Sequence, residues 1–255
     1  MILSPDIIAC ARIVEQGDKT RFRTVMAAPV AARAVLFPLY AFNVEVSRAP
    51  WVTQEPMIAE MRLQWWRDAL EEIAEGRAVR AHEVTTPLAA LLSPAQAQRL
   101  DASVAARRWD VYRDSFDDQS HFDKYIDQTA GGLMWTAAEL LGADAGHEGA
   151  VRDLAYAAGV ASFLRAVPEL AAAGRIPLLD GTPDGVRALA GRARARLTRP
   201  KVRKGTGPAL WPAVGTRAAL DAVEKTPRLV GDGQMPGAVP PWRLSLSALT
   251  GRVMI

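Results

Sequence analysis

The stretch DSFDDQSHFDKYID, residues 114–127, is the densest group of side chains that could bind a metal ion. It holds five aspartates, and hard carboxylate oxygens are the ligands that Mg²⁺ prefers. The same letters also fit a polar loop that leads into a helix, with Ser120 as the N-cap and Asp123 three residues later in a capping box. The capping interpretation is favoured over a Mg²⁺ site.

A second candidate site is YAFNVEVSRAPW, residues 40–51, where an aromatic-rich helical run leads into a short polar stretch. A metal-dependent helical enzyme could carry paired aspartates at such a place. The polar stretch here offers Ser47, Arg48 and Trp51, and none of these side chains is a carboxylate. The stretch is therefore either a site with other chemistry or a site that has lost its chemistry.

Other kinds of cofactor site find no support in the sequence. His82, His121 and His147 are far apart, and the single cysteine, Cys10, has no histidine or cysteine at ligand spacing, so a zinc site is disfavoured. The chain has no Gly-Lys-Ser/Thr loop and no GxGxxG motif after a strand, so nucleotide binding is not supported. We expect no bound cofactor.

Composition limits the class of protein. About half of the 255 residues are apolar, which is enough for a sizeable core, and the net charge of +3 suits anionic partners such as diphosphates or a membrane surface. A single cysteine fits a reducing compartment. We find neither a secretory signal nor an uninterrupted apolar run of transmembrane length. The expected location is the cytoplasm, and a peripheral contact with the inner membrane is left open.

The apolar residues follow a helical period nearly throughout, and strictly alternating β-branched runs are scarce. The pattern predicts one all-α domain over residues 1–255, less regular between 200 and 255, where two connectors are rich in Gly and Pro. The predicted helices cover residues 5–16, 30–47, 55–75, 87–91, 94–113, 120–141, 147–172, 184–198, 216–224 and 241–253.

Two segments near the C-terminus could contact a membrane or a partner. Arg187–Lys204 carries eight basic residues, which suit an anionic surface or simply a solvated helix face. It lacks interleaved aromatic residues, so we expect no nucleic acid partner. The last segment, PWRLSLSALTGRVMI, places Trp242, Leu246, Leu249 and Val253 on one helical face, which could meet a membrane or dock on the domain. Docking on the domain is the favoured interpretation.

Four stretches together resemble one family: ARAVLFPLYAFNVEVSRAPW, EMRLQWWRDALEEIAEGRAV, YIDQTAGGLMWTAAELLG and GVASFLRAVPELAAAGRIPL. Their order and approximate spacing, between about residues 20 and 180, are similar to those of the squalene/phytoene synthases. The resemblance implies an isoprenoid-synthase-like helical bundle around a central apolar cavity. Active members of the family join two prenyl diphosphates head to head.

The resemblance also implies two Asp-rich stretches that face each other and share Mg²⁺ ions, which neutralise the leaving diphosphate. The first should follow Tyr-Ala-Phe, and the second should read L-R-D-x-x-x-D. The positions implied for these acids carry other residues here, namely Ser47, Arg48, Trp51, Ala166 and Leu170. An arginine or an apolar side chain cannot bind Mg²⁺, so both metal-binding faces are expected to be degenerate.

Two hypotheses follow from the resemblance. In the first, the protein is non-catalytic and binds an isoprenoid, another lipid or a protein partner of a respiratory complex. It then resembles the family branch of the mitochondrial complex I assembly factor that has a phytoene-synthase-like domain. In the alternative, it is an active head-to-head prenyl transferase that uses Mg²⁺ and unusual acids. These would be drawn from Glu45, Glu55, Glu60, Asp123, Asp127 and Glu169.

Four residues are candidates for ligand binding under the first hypothesis: Tyr40, Arg48, Arg165 and Arg175. Guanidinium groups match the oxygens of a diphosphate, and Arg48 and Arg165 are the main candidates to hold one without a metal. The competing interpretation, which is favoured, has Arg165 in an ion pair with Glu169 one turn later and Arg48 paired with a neighbouring helix.

Overall fold

The computed structural model describes residues 4–53 and 55–255, and these residues form helices joined by turns, with no strand among them. This confirms the all-α prediction. The α-helices are α1 Pro5–Gly17, α2 Lys19–Met26, α3 Val30–Arg48, α4 Pro56–Ala74, α5 Thr85–Ala89, α6 Pro94–Ala106, α7 Gln119–Ile126, α8 Gly132–Leu140, α9 Glu148–Ala172, α10 Pro183–Ala195, α11 Gly207–Leu210, α12 Thr216–Lys225, α13 Arg228–Gly231 and α14 Pro241–Thr250.

Most predicted helices agree with observed ones apart from their ends. The helix predicted over 120–141 is divided, because a π-helical turn, Asp127–Gly131, separates α7 from α8. In that turn the Thr129 hydroxyl donates to the Tyr125 carbonyl, 2.7 Å away, and such back-bonding commonly distorts a helix. Helix α2 was missed; Asp18 begins it by accepting a hydrogen bond from the Arg21 amide.

The buried side chains of the part of the chain that the structure describes form two clusters, and one helix contributes to both. The first cluster is built mainly from α1, α3, α4, α6 and α8. The second lies around α7, α10 and α12 and contains stacked aromatic rings, including Trp109 and Phe116 with centroids 4.1 Å apart. Helix α9 belongs to both clusters, since Val151 and Leu154 lie in the first and Leu164 lies in the second.

Within residues 4–53 and 55–255, one helix is long and apolar enough to cross a membrane by length and composition alone. It is α3, with a mean hydropathy of 1.2 over 18 residues. More than half of that window, 56%, is buried within the fold. Core helices pass the same test, and α3 supplies Leu36, Phe37 and Phe42 to the first core cluster.

Several basic side chains of the segment Arg187–Lys204, in and just after α10, contact other parts of the fold. Arg194 pairs with Asp221, and Arg196 lies 3.0 Å from Asp153. Arg192 donates to the side chain of Gln119 at 2.6 Å. These basic side chains therefore have partners within the fold, although Arg192 and Arg194 remain exposed, as on a solvated helix face.

The C-terminal helix docks on the domain, but through a different face from the one predicted. Leu244 and Ser247 are buried, whereas Trp242, Leu246 and Leu249 of the predicted face are exposed. Val253, the fourth residue predicted for that face, lies after the helix and is buried in the first core cluster. Helix α14 ends because Gly251 adopts a positive φ of 70°, and the chain then turns back. The Ser247 hydroxyl accepts the Met254 amide at 3.2 Å, and this contact directs the buried face towards the core.

Gly159 in α9 should be required for stability, because it is where this helix approaches the π-helical turn. A Cβ on Gly159 would lie 2.7 Å from the Ala130 Cβ and 2.9 Å from Ile126 Cγ2. We expect Gly159→Ala to lower the free energy of unfolding by about 1–3 kcal/mol in urea titrations, because the helix and the turn must separate.

Gly149, in the first turn of the same helix, is the matched control for Gly159. Nothing lies within 4 Å of a Cβ placed there. Gly149→Ala should leave the free energy of unfolding unchanged or raise it by up to about 1 kcal/mol, since alanine favours helix. Equal effects of the two substitutions would contradict the close-approach explanation.

Candidate functional site

A cleft of about 620 Å³ lies between the two core clusters. Apolar side chains from both clusters line one part of it, and polar groups line the rest, so the cavity is less apolar than predicted. The apolar lining includes Ile126, Ala130, Leu133, Met134, Ala155, Phe163 and Val214. The cleft suits a ligand with an apolar body and a polar end.

The beginning of α2 supplies one polar corner of the cleft. Arg21 lies 2.5 Å from the carboxylate of Asp18, and its guanidinium lies 5.4 Å from the centre of the Tyr40 ring. Burial raises the pKa of Tyr40 to about 12. The phenol is therefore neutral near pH 7 and can donate a hydrogen bond.

A second polar corner of the cleft is a buried hydrogen-bond network that was not predicted from the sequence. Arg107 donates to Asp110 at 3.0 Å and to the Tyr125 hydroxyl at 2.8 Å, and that hydroxyl is 3.0 Å from Asp110. Burial alone would lower the pKa of Arg107, but Tyr125 and Asp110 outweigh it and raise that pKa. The only sequence signal was an arginine and an aspartate three residues apart in RRWD, residues 107–110.

Arg165 is a third cation in the cleft, and its expected ion pair with Glu169 is wrong. Both residues line the cleft, but the Arg165 guanidinium donates to the carbonyls of Ala161 at 3.1 Å and Pro236 at 3.0 Å. Burial lowers the pKa of Arg165. No carboxylate of the described residues lies within ion-pairing distance of it.

Most of the other predicted site residues meet at this cleft. Those that line it are Tyr40, Ser47, Trp51, Ala166 and Leu170. Side chains from α3 and the turn after it therefore face side chains from α9 across the cavity, which is the arrangement that the family resemblance implies.

Two of the ligand-binding candidates, Arg48 and Arg175, are not part of the lining. Arg48 is exposed and lies 3.9 Å from Glu45 of its own helix, so the expected pairing with a neighbouring helix is wrong. Arg175 is buried and donates to the carbonyls of Trp109, at 3.2 Å, and Asp110. It also lies 5.2 Å from the Trp51 ring, so it holds the chain after α9 against two neighbouring turns.

The acidic stretch 114–127 serves the local structure. Asp118 caps α7 by accepting the His121 amide at 2.8 Å, so Ser120 is not the cap as predicted. Asp123 accepts the Tyr156 hydroxyl at 2.6 Å, and Asp127 pairs with Arg152 at 3.1 Å.

The carboxylates of the cleft do not fit the Mg²⁺ ions that active family members use. Asp18 and Asp110 each face an arginine, and only Glu169 remains as a third acid of the lining. Throughout residues 4–53 and 55–255, no three His, Cys, Asp or Glu residues are grouped as metal ligands. Two of the three arginines in the lining are already paired with acids, so Arg165 is the one best placed to meet an anionic group.

Removing the charge of Asp110 should destabilise the protein strongly, because Arg107 would be left as an unpaired buried cation. We expect Asp110→Asn to lower the free energy of unfolding by about 3–5 kcal/mol. Asp153→Asn is the matched control, since the pair of Asp153 with Arg196 is partly exposed, and it should cost less than about 1 kcal/mol. Similar midpoints for both variants in urea titrations would show that the network contributes little.

Solved structures show the same fold. A dehydrosqualene synthase in complex with a ligand aligns with a TM-score of 0.74 at 16% identity, covering 96% of this chain and 95% of that one. A squalene synthase from Alicyclobacillus acidocaldarius aligns with a TM-score of 0.68 at 18% identity, covering 91% and 95%.

Curated relatives and a family model extend the comparison to the sequence. The complex I assembly factor 6 homolog of Drosophila melanogaster is 31% identical over 199 residues, or 75% of this chain and 58% of that protein. Human complex I assembly factor 6 is 24% identical over 172 residues, or 62% and 48%. The chain thus spans about half the length of the curated relatives it matches. The squalene/phytoene synthase model matches residues 14–178, and the chain therefore belongs to the squalene/phytoene synthase family.

Proposed function

We propose that this protein is a non-catalytic squalene/phytoene synthase family member that acts in the assembly of respiratory complex I. One observation carries the non-catalytic part. Five residues stand where the resemblance implies acids. Four of them, Ser47, Trp51, Ala166 and Leu170, line the cleft between the two core clusters, and the fifth, Arg48, is exposed outside it. The cytoplasmic location stays a prediction.

The chemical argument concerns charge. A departing diphosphate must be neutralised, and metal ions held by grouped carboxylates supply most of that charge in this chemistry. Losing one electrostatic element of this kind typically costs ~10²–10³ in rate, so losing both metal-binding faces leaves little turnover. Arg165 can hold an anion, but it cannot recruit divalent ions.

The alternative, an active transferase that uses unusual acids, would need several of those acids to lie together in the cleft. Of the six acids on which it could draw, Glu169 lines the cleft, whereas Glu45 lies by Arg48 and Glu60 pairs with Arg108 at 3.0 Å. Glu55, Asp123 and Asp127 are not part of the lining. Glu169, with two acids that are already paired with arginines, is too little to hold a cluster of Mg²⁺ ions.

The relatives support the assembly part of the proposal. Proteins named complex I assembly factor 6 in fly, cattle, human and mouse all match this chain. The cleft gives such a factor a place for an isoprenoid or another lipid-like ligand, with its apolar body against α8 and α9 and its anionic end near the arginines.

We predict that the purified protein will not condense prenyl diphosphates. Farnesyl and geranylgeranyl diphosphate, each incubated with the protein and Mg²⁺, should give no hydrocarbon product above a heat-denatured control, because the carboxylates needed for ionisation are missing. A dehydrosqualene synthase assayed in parallel is the positive control. Product formed well above the denatured control would overturn the non-catalytic assignment.

The assembly role is tested separately by deleting the gene in its host. Native gels should then show less assembled complex I, and a plasmid copy of the wild-type gene should restore it. Normal amounts of the complex after deletion would refute the assembly role while leaving the non-catalytic assignment untouched.

Arg165 should hold the anionic end of a ligand without a metal ion. We expect Arg165→Ala to weaken the binding of farnesyl diphosphate in metal-free calorimetry by about tenfold or more, which corresponds to losing a charged hydrogen bond. Arg48→Ala is the matched control and should bind like the wild type, since Arg48 is exposed and lies outside the lining. Unchanged affinity of the Arg165 variant would remove this role.

A further inference from the structure

Helix α14 presents an apolar stripe to solvent. Trp242, Leu246 and Leu249 lie on one face at helical spacing, and their exposed fractions are 61%, 40% and 77%. The helix is held to the domain by its other face, through Leu244 and Ser247. The stripe is therefore not needed for the packing of the helix.

The chain segments that carry this stripe and the adjoining Lys204 are basic. Neither residues 196–220 nor residues 233–255 contain an aspartate or a glutamate. At the start of the helix, the Arg243 guanidinium lies 5.1 Å from the Trp242 ring. At its end, the Lys204 side chain fills the space beside Gly251, and the exposed Arg252 follows. Cationic groups thus stand at both ends of the apolar stripe.

One acid from elsewhere in the chain, Asp144, lies near the basic segment that ends at Lys204. Asp144 lies 3.9 Å from Arg203, and both side chains are largely exposed. Such a pair is weak in water, so the segment 199–204 keeps a net positive charge.

We propose that this face, formed by α14 with Lys204 and Arg252, docks on an anionic lipid surface. The tryptophan and the two leucines would enter the headgroup region, and the arginine and lysine groups would meet lipid phosphates. An amphipathic helix binds a membrane interface by this combination, in which each basic group near an anionic surface adds to the apolar contribution. The proposal does not depend on the proposed function, since it concerns a surface away from the cleft.

A second exposed apolar face supplies the matched control. On α4, Met57 and Met61 are 75% and 66% exposed, which is comparable to the stripe of α14. Acidic residues lie beside them, at Glu55 and Glu60. This face offers similar apolar exposure without the excess of positive charge, so it is not expected to bind anionic lipid.

The experiment is co-sedimentation of the whole protein with lipid vesicles. The wild type should bind vesicles containing phosphatidylglycerol and should bind neutral phosphatidylcholine vesicles at least about tenfold more weakly. Leu246→Ser with Leu249→Ser should weaken binding to the anionic vesicles about tenfold or more, whereas Met57→Ser with Met61→Ser should not. Arg243→Glu with Arg252→Glu should remove the preference for anionic lipid.

Fluorescence quenching and the oligomeric state in solution identify what covers the stripe. Lipids brominated in their acyl chains should quench tryptophan fluorescence, and Trp242→Phe should remove most of that quenching. The proposal is refuted if the wild type does not sediment with anionic vesicles, or if the α14 variant binds as the wild type does while remaining folded by circular dichroism. It is also refuted if the wild type is a dimer in solution that the α14 substitutions dissociate, since the occupant is then a second copy.

Discussion

The rest of the structure depends on the close approach of α9 to the π-helical turn that follows α7. Gly159 has no side chain at the point where Ala130 and Ile126 press against α9, and this allows the two backbones to pack tightly. The same helix then continues through both core clusters. The same face of α9 lines the cleft with the small side chains of Ala155, Ala158, Ser162 and Ala166, which leave the space open, so the close packing and the cavity have a common origin.

The electrostatics of the cleft follow from burial. Two of its carboxylates are paired with arginines, because an unpaired charge in this position would be costly. Arg165 satisfies two of its donors with backbone carbonyls and keeps its charge available on the cavity side. The described lining therefore holds three arginines and three acids, and Arg165 is the arginine among them that pairs with none of these acids.

The fold of this family and the residues of its cleft differ in how much substitution they tolerate. The chain keeps the fold of squalene synthases at less than 20% identity, because a helical bundle tolerates many apolar substitutions that preserve volume and pattern. A metal site has no such tolerance, since a single carboxylate replaced by alanine or leucine removes a ligand outright. Family members can therefore share a fold and differ in chemistry.

The helices were predictable from the sequence, because a helix is local: its apolar period and its caps, such as Ser4 and Ser93, lie within a few residues of one another. The meeting of Ser47 with Ala166 at one cleft was inferred from family resemblance and not from the local pattern. Only the tertiary structure decided that Arg165 turns to the carbonyl of Pro236, 71 residues away, and that α14 docks through Leu244. Such choices depend on which groups distant in sequence are left unpaired or uncovered after the helices pack, and the period of a single helix carries no information about that.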